Sequence, residues 1–320
     1  DEKNYLFKVD MPRAETFIEQ AAGAYAVQKE CERAMLHLAA YAKKMTGAKY
    51  LCISGGVGLN SVANHAVYAS SIFEDVFINP AASDTGIPLG AAYYGYHAVG
   101  GMPRKAQELS PYTGPTYSNE RIKKAIASFE GYEVIEKDAL NHAIDLLATN
   151  KIVGRFEGRS EMGPRALGHR SLLMSPLSKT NKDVMNNRVK FREAFRPFAP
   201  IVMEEHASEY FLIDRPCRYM LTIPAVRPEK IEVIPAVTHV DGTARVQTVT
   251  RDFNGRLYDI LSVFRDRTGV PVLLNTSYNV AGEPIVETPE DAIKFLISNN
   301  IDALFINETL LVKTEGLYDS

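Results

Sequence analysis

Between residues 15 and 45 apolar side chains fall mostly at helical spacing, as at Phe17, Ile18, Ala21, Tyr25, Met35 and Leu38, and Gly47 supplies a stop signal. One long helix is predicted there. The period then changes. Tyr50-Leu51-Cys52-Ile53 reads as a short strand that runs into a glycine loop over 54–60, with a helix predicted over 60–70. Val76-Phe77-Ile78 reads as a second strand, and the turn over 81–86 leads into a small-residue helix over 87–97. These β-loop-α units predict an α/β fold with ligands at the strand ends.

Residues 100–115 gather Gly100, Gly101, Pro103, Pro111, Gly114 and Pro115. They read as a linker and divide the chain into domains at 1–105 and 106–320. Beyond them helices are predicted over 119–128, 138–149, 256–268 and 289–299. Strands are predicted over 132–135, 152–156, 270–275, 303–306 and 310–312, and residues 219–249 read as β-rich, with strands at 221–223 and 245–249.

Length adds that 320 residues suit two domains, each able to bury a core without disulfide or metal staples. A net charge of −3 gives no global signal for nucleic acid. The three cysteines, Cys31, Cys52 and Cys217, form no CxxC and no even set, which points to a reducing, cytoplasmic setting rather than a disulfide or zinc framework. No apolar run reaches the ~18 residues of a membrane span, and no membrane partner is expected. The chain opens on Asp1 rather than Met, so a fragment of a longer polypeptide is expected.

Charge is uneven, however. Residues 151–200 carry eleven basic against four acidic side chains, a local excess of seven. A solvated helix face is the ordinary explanation of such a run. Here the bases alternate with Gly154, Gly158, Gly163-Pro164 and Gly168, which positions the arginines beside tight turns. Convergent guanidinium forks suit a small phosphorylated ligand. Nucleic acid fits less well, because Phe156, Phe191, Phe195 and Phe198 read as packing residues rather than a stacking platform.

Three further stretches carry candidate chemistry. The glycine loop 54–60 offers free amides at a helix start, or is simply a tight strand-helix turn. Asp84, in the second loop, could hold a metal or cap a helix. Asn275, Thr276, Ser277 and Asn279 follow an apolar strand and could orient a planar carbamoyl or adenine edge, or form an Asx-rich turn. The seven histidines are scattered, with no HxH or HxxxH pair, so no complete histidine metal site is expected.

Taken in order, 54–60 with 80–92, Gly163-Pro164-Arg165-Ala166-Leu167-Gly168-His169-Arg170-Ser171, 190–200, 239–249 and 275–289 resemble the NodU/CmcH-type O-carbamoyltransferase family. The resemblance covers essentially the whole chain, and 163–171 is its most specific part. It implies the second half of an ASKHA-fold (actin/Hsp70-like) domain followed by a YrdC-like α/β domain. The YrdC-like part would join carbamoyl phosphate and ATP, with Mg²⁺, into carbamoyl adenylate. The ASKHA part would pass the carbamoyl group to a small-molecule hydroxyl acceptor beside an iron-type divalent metal.

By the same resemblance Arg165, Lys190, Arg196 and Arg245 hold carbamoyl phosphate, Gly55, Gly56 and Asn60 contact the nucleotide, and Asp84 is a metal ligand. His169, Arg170, Asn275, Ser277 and Asn279 complete the substrate- and nucleotide-binding set. The family's amino-terminal half, with its paired histidines, is absent from this chain, so bound metal is expected to be weak or missing and transfer to an acceptor incomplete. Two rival readings stay open: threonylcarbamoyl-adenylate synthesis for tRNA, and a non-catalytic nucleotide- or RNA-binding module. Oligomeric state is open, with a homodimer among the arrangements.

Overall fold

The computed structural model describes residues 16–105 and 109–314, so Glu15 and part of the predicted linker lie outside the described residues. Contacts divide the chain into two units, Asp1–Cys52 with Val62–Phe77, and Ile53–Ser61 with Ile78–Ser320.

The first unit is built on helix α1 (Phe17–Thr46), which starts at a capping box of Thr16 and Glu19 and stops at Gly47 in the left-handed region. Of its residues only Ala39 is buried, and Phe17, Ile18, Tyr25, Leu38 and Met45 stand exposed. Strands β1 (Tyr50–Ile53) and β2 (Asp75–Ile78) pair into a two-stranded sheet, with helix α2 (Ser61–Ala69) between them in sequence.

The second unit opens with helix α3 (Ile87–Tyr93), which passes into a π-helical segment, Tyr94–Val99. Next come α4 (Asn119–Ala127), β3 (Tyr132–Ile135), α5 (Ala139–Ala148) and β4 (Val153–Phe156). Strand β5 (Arg170–Met174), helix α6 (Asn181–Met185) and β6 (Ala199–Met203) follow. The chain closes with α7 (Ala207–Tyr210), β7 (Gln247–Val249), α8 (Gly255–Thr268), β8 (Val272–Ser277), α9 (Pro289–Ser298), β9 (Ala303–Ile306) and β10 (Thr309–Lys313).

Eight of these strands make one mixed sheet in the order β3-β10-β9-β4-β5-β8-β6-β7, parallel only at β4–β9 and β6–β7. Alternate side chains leave opposite faces. Leu172, Met174, Val202, Val272 and Leu274 pack with α4 and α9, whereas Leu173, Ile201, Met203 and Leu273 pack with α5 and α8. The sheet is therefore buried on both sides, as a helix-sheet-helix sandwich of mixed α/β class.

Strands β5 and β6 escape a reading by alternation because both faces are buried, leaving the continuous apolar runs Ser171-Leu172-Leu173-Met174 and Ala199-Pro200-Ile201-Val202-Met203. The predicted strand at 221–223 does not form. From Tyr219 to Val246 the chain is loop with two short 3-10 turns, and only Gln247–Val249 joins the sheet. Pro224, Pro228 and Pro235 remove the donors a ladder would need.

Topology then fixes where ligands can sit. The end of β4, the starts of β5, β6 and β7 and the end of β8 share one end of the sheet, since β5 and β6 run antiparallel to β8. The segments leading into those strands carry Arg165, Lys190, Arg192, Arg196 and Arg245, and β8 itself carries Asn275.

Candidate anion site

Residues 157–169 connect β4 to β5 and carry the Gly163–Gly168 turn, whose shape is held from two directions. On the amide side one carboxylate oxygen of Glu161 accepts from the backbone N–H groups of Leu167 at 2.7 Å, His169 at 2.8 Å and Arg170 at 3.2 Å. On the carbonyl side Asn275 donates to Ala166 at 2.9 Å, and Gln247 donates to Leu167 at 2.9 Å. Gly163 sits at φ +79°, and a Cβ there would lie 2.4 Å from the carbonyl oxygen of Pro80. No other residue fits that position without moving the backbone.

That close approach joins three of the sequence's candidate loops. Gly55 donates its amide to the Ala82 carbonyl at 2.6 Å, and Arg165 donates to the Leu59 carbonyl at 3.2 Å. The glycine loop, the turn over 80–86 and the Arg165 turn are therefore neighbours. Asp84 is exposed on this turn, and Ser83 caps it without a side-chain bond. Among the described residues no three His, Cys, Asp or Glu side chains gather where an ion could bind. Asp84 and its described neighbours therefore do not by themselves fit an iron-type metal.

Arg245, just before β7, is the electrostatic centre of the cluster. Among the described residues its side chain has no hydrogen-bond acceptor and no carboxylate partner, and its buried Nε is unsatisfied. Burial, then repulsion from Arg165 and Arg192, pushes its pKa down to about 9. Burial likewise lowers Arg165, whose Nε is also unsatisfied. Arg192 is lowered by burial and by Arg196, with Glu193 opposing. Arg196 itself is exposed and pairs with Glu193 at 2.8 Å. Arg192 thus links Lys190, Arg196 and Arg245, and Arg165 joins the group through Arg245.

Lys190 plays a different part from the arginines. It closes a π-helical turn, Asn186–Lys190, a rare geometry often found at functional sites. Its buried ammonium donates to the backbone and side-chain oxygens of Ser277, at 2.5 and 3.2 Å, and of Asn279, at 2.7 and 3.0 Å. Burial and Arg192 push Lys190 down to about 7, while those four oxygens favour its charged form. The Ser277 and Asn279 side chains are in turn bonded to each other at 2.6 Å. Lys190, Ser277 and Asn279 are therefore one knot that fixes the loop after β8.

Phe191, next in the chain, is held in the left-handed region at φ 44° and is 65% exposed, and Phe195 is 55% exposed. Only Phe156 and Phe198 are the packing residues that all four phenylalanines were expected to be.

Arg170 is buried and His169 half-buried. His169 stacks on Tyr112 at 3.7 Å between centroids, and its Nδ1 donates to the Arg159 carbonyl at 2.6 Å. Arg170 lies 3.6 Å over the Phe156 ring and donates to the Glu157 and Gly158 carbonyls at 2.7 and 3.1 Å.

Among the described residues around Arg165 and Arg245, two buried acceptors face no donor. One is the Oδ1 of Asn275 and the other the Nε2 of His239. Thr243 donates its hydroxyl to Asp241 at 2.7 Å, so the Nδ1 of His239, 3.1 Å from that hydroxyl, is the donor and Nε2 carries the lone pair. Burial and nearby Arg245 push His239 down to about 4 despite Asp241, so its ring is neutral. Arg192, Glu161, Gln247 and His239 had not been singled out from sequence. Lys190-Phe191-Arg192 spacing marks Arg192, but nothing local marks Glu161 or Gln247, whose roles depend on long-range contacts.

Comparison with known proteins decides the family. The family description Carbamoyltransferase C-terminus matches residues 144–313, and Carbamoyltransferase N-terminus matches 10–93. This chain belongs to the carbamoyltransferase family. Nodulation protein NolNO of Sinorhizobium fredii is 39% identical over 293 residues, 90% of this chain and 43% of its own length. Nodulation protein NolO of Bradyrhizobium diazoefficiens is 39% identical over 293 residues, 90% of this chain and 54% of its own. Nodulation protein U of Rhizobium tropici is 37% identical, covering 86% and 46%. The chain thus spans about half the length of these curated relatives. Among solved structures, full-length HypF in its phosphate- and nucleotide-bound form aligns with a TM-score of 0.38 and 18% identity, over 57% of this chain and 22% of that one, too slight a likeness to argue from.

Proposed function

We propose that this member of the carbamoyltransferase family activates carbamoyl phosphate with ATP to carbamoyl adenylate, and that in a longer protein the carbamoyl group passes to a small-molecule hydroxyl. In this reading 106–320 is a YrdC-like activating domain and 1–105 the end of an ASKHA-like transfer domain. The observation that carries the reading is the approach of Arg165 and of Arg192 to Arg245, which has no carboxylate partner among the described residues. Guanidinium groups gathered round the buried Arg245 are stable together when an anion lies between them, and a phosphoryl group meets that need with several acceptor oxygens.

Arg165 and Arg245, with Arg192 and Arg196, hold the phosphoryl group. Lys190 shapes the loop that borders it, and Asn275 and His239 offer acceptors for the carbamoyl NH₂. Water attacks the carbamoyl carbon, the C–O bond to phosphate breaks, and carbamate and inorganic phosphate result. A carboxylate oxygen of carbamate then attacks the α-phosphorus of ATP, forming the P–O bond of carbamoyl adenylate as pyrophosphate leaves. The arginines act by positioning and by neutralising charge in both steps. Mg²⁺ bound with ATP would neutralise the charge of its phosphates. Gly55, Gly56 and Asn60 receive the nucleotide in the other domain, and Asp84 serves metal binding only with ligands from outside this chain.

The test is pyrophosphate release from ATP. It should require carbamoyl phosphate, and Arg165→Ala should abolish it in the full-length protein. Release driven by threonine with bicarbonate would replace this reading with threonylcarbamoyl-adenylate synthesis. Salt-dependent RNA binding without ATP turnover would replace it with a binding module.

A further inference from the structure

Residues 191–197 join the π-helical turn to β6, and the rings of Phe191 and Phe195 stand exposed on them. The segment is nonetheless fastened. Asn186 donates to the Arg196 carbonyl at 3.4 Å, and Arg192 donates to the Asn186 side chain at 2.8 Å and to the Pro197 carbonyl at 3.3 Å. Phe191 therefore stands between two fixed neighbours. Lys190 is tied to Ser277 and Asn279, and Arg192 also lies 4.5 Å over the Phe198 ring. The backbone of Phe191 is left-handed, at φ 44° and ψ 50°, a conformation that favours glycine over a residue with a Cβ. A large apolar ring is thus held in water on a backbone that disfavours it, and the next residue is the arginine that repels buried Arg245. Neither feature serves the ligand-free fold.

We infer that Phe191 is the stacking face for the base of a nucleotide whose phosphate lies in the arginine cluster. The assignment rests on the reading of that cluster as a phosphate site. A ligand that answers both features carries an anionic part for Arg192 and Arg245 and a flat apolar part for the neighbouring ring. Inorganic phosphate and carbamoyl phosphate have only the first. A nucleotide has both, and every base offers a π-face, so the ring needs no hydrogen-bonding neighbours to hold one. The sequence reading of Phe191 as a packing residue had set this possibility aside, and its exposure restores it. Stacking also gives the strained backbone a use, because it keeps the ring turned out of the core and ready for the ligand.

The test titrates the whole chain calorimetrically with AMP and with inorganic phosphate, and melts it without ligand. AMP should bind roughly tenfold tighter than phosphate or more, the worth of one base–aromatic stack. Phe191→Gly should bring AMP down to the affinity of phosphate and leave phosphate itself unchanged. The same variant should melt no lower than the unaltered chain, because glycine suits the left-handed backbone. A ring with a merely structural role would lower the melting temperature instead. Phe191→Trp should keep the preference for AMP. The chain has no tryptophan, so the fluorescence of that variant reports on this position alone. AMP should quench it and phosphate should not. AMP binding no tighter than phosphate in the unaltered chain, or a preference that survives Phe191→Gly, would overturn the assignment. Phosphate binding indifferent to Arg245→Gln would overturn the phosphate reading and the assignment with it, so the two failures are told apart by which substitution has no effect.

Discussion

The side-chain amide of Asn275 donates to the carbonyl of Ala166 at 2.9 Å, so the end of β8 holds the turn that aims Arg165. Asn275 is 1% exposed. Asn275→Ala leaves the Ala166 carbonyl short of a partner in a buried place, a cost of about 1–3 kcal/mol. Urea unfolding should show that loss, and phosphate affinity should fall with it because Arg165 is no longer fixed. Unchanged affinity with lowered stability would confine Asn275 to packing.

Arg245 should behave in the opposite sense. Its guanidinium is desolvated and repelled by Arg165 and Arg192, so the unliganded fold bears it at a cost. Arg245→Gln should leave the ligand-free melting temperature unchanged or raise it by up to about 4 °C, the equivalent of about 1 kcal/mol. The same substitution should weaken binding of carbamoyl phosphate by roughly 10- to 100-fold, the worth of one charge-assisted hydrogen bond. Thermal melts with and without ligand check both halves.

His239 gives a pH signature. Its folded pKa of about 4 lies below the ordinary 6.5, so the unfolded chain takes up a proton at a pH where the native state does not. Its contribution to stability is therefore fully present above about 6.5 and is lost as pH falls towards 4. His239→Gln cannot titrate, so the slope of stability against pH between 4 and 6.5 should be shallower in that variant. Equal slopes from urea midpoints would remove His239 from the account.

Much of this architecture was legible because local pattern and tertiary placement agree. Helix α8 begins at Asn254, whose side chain caps Leu257, and stops at Gly269, and α9 starts at Thr288 with Pro289 behind it. The central strands β5 and β6 were not legible as strands, because burial on both faces erases the alternation that marks one. Within the site, Arg165 could be picked out by charge beside tight turns, and Arg245 by the family resemblance. What Lys190 does could not, since its four oxygen partners lie 87 and 89 residues further along the chain. Glu161 was counted only as an acid in a basic stretch, yet it is the residue that gathers three backbone amides.

Gly163 offers the sharpest separation of fold from function. At φ +79° an alanine would be strained, and its Cβ would lie 2.4 Å from the Pro80 carbonyl oxygen. The strain alone costs about 1–2 kcal/mol, and the clash must be relieved by moving either the Arg165 turn or the loop at Pro80. Since Arg165 also donates to Leu59, either movement disturbs the place where the glycine loop and the arginine meet. Gly163→Ala should therefore lower phosphate affinity by more than its loss of stability accounts for, measured as calorimetric affinity at a temperature where the variant is fully folded. A variant of lowered stability but native affinity would show that the backbone at Pro80 gives way and that the Arg165 turn does not depend on it.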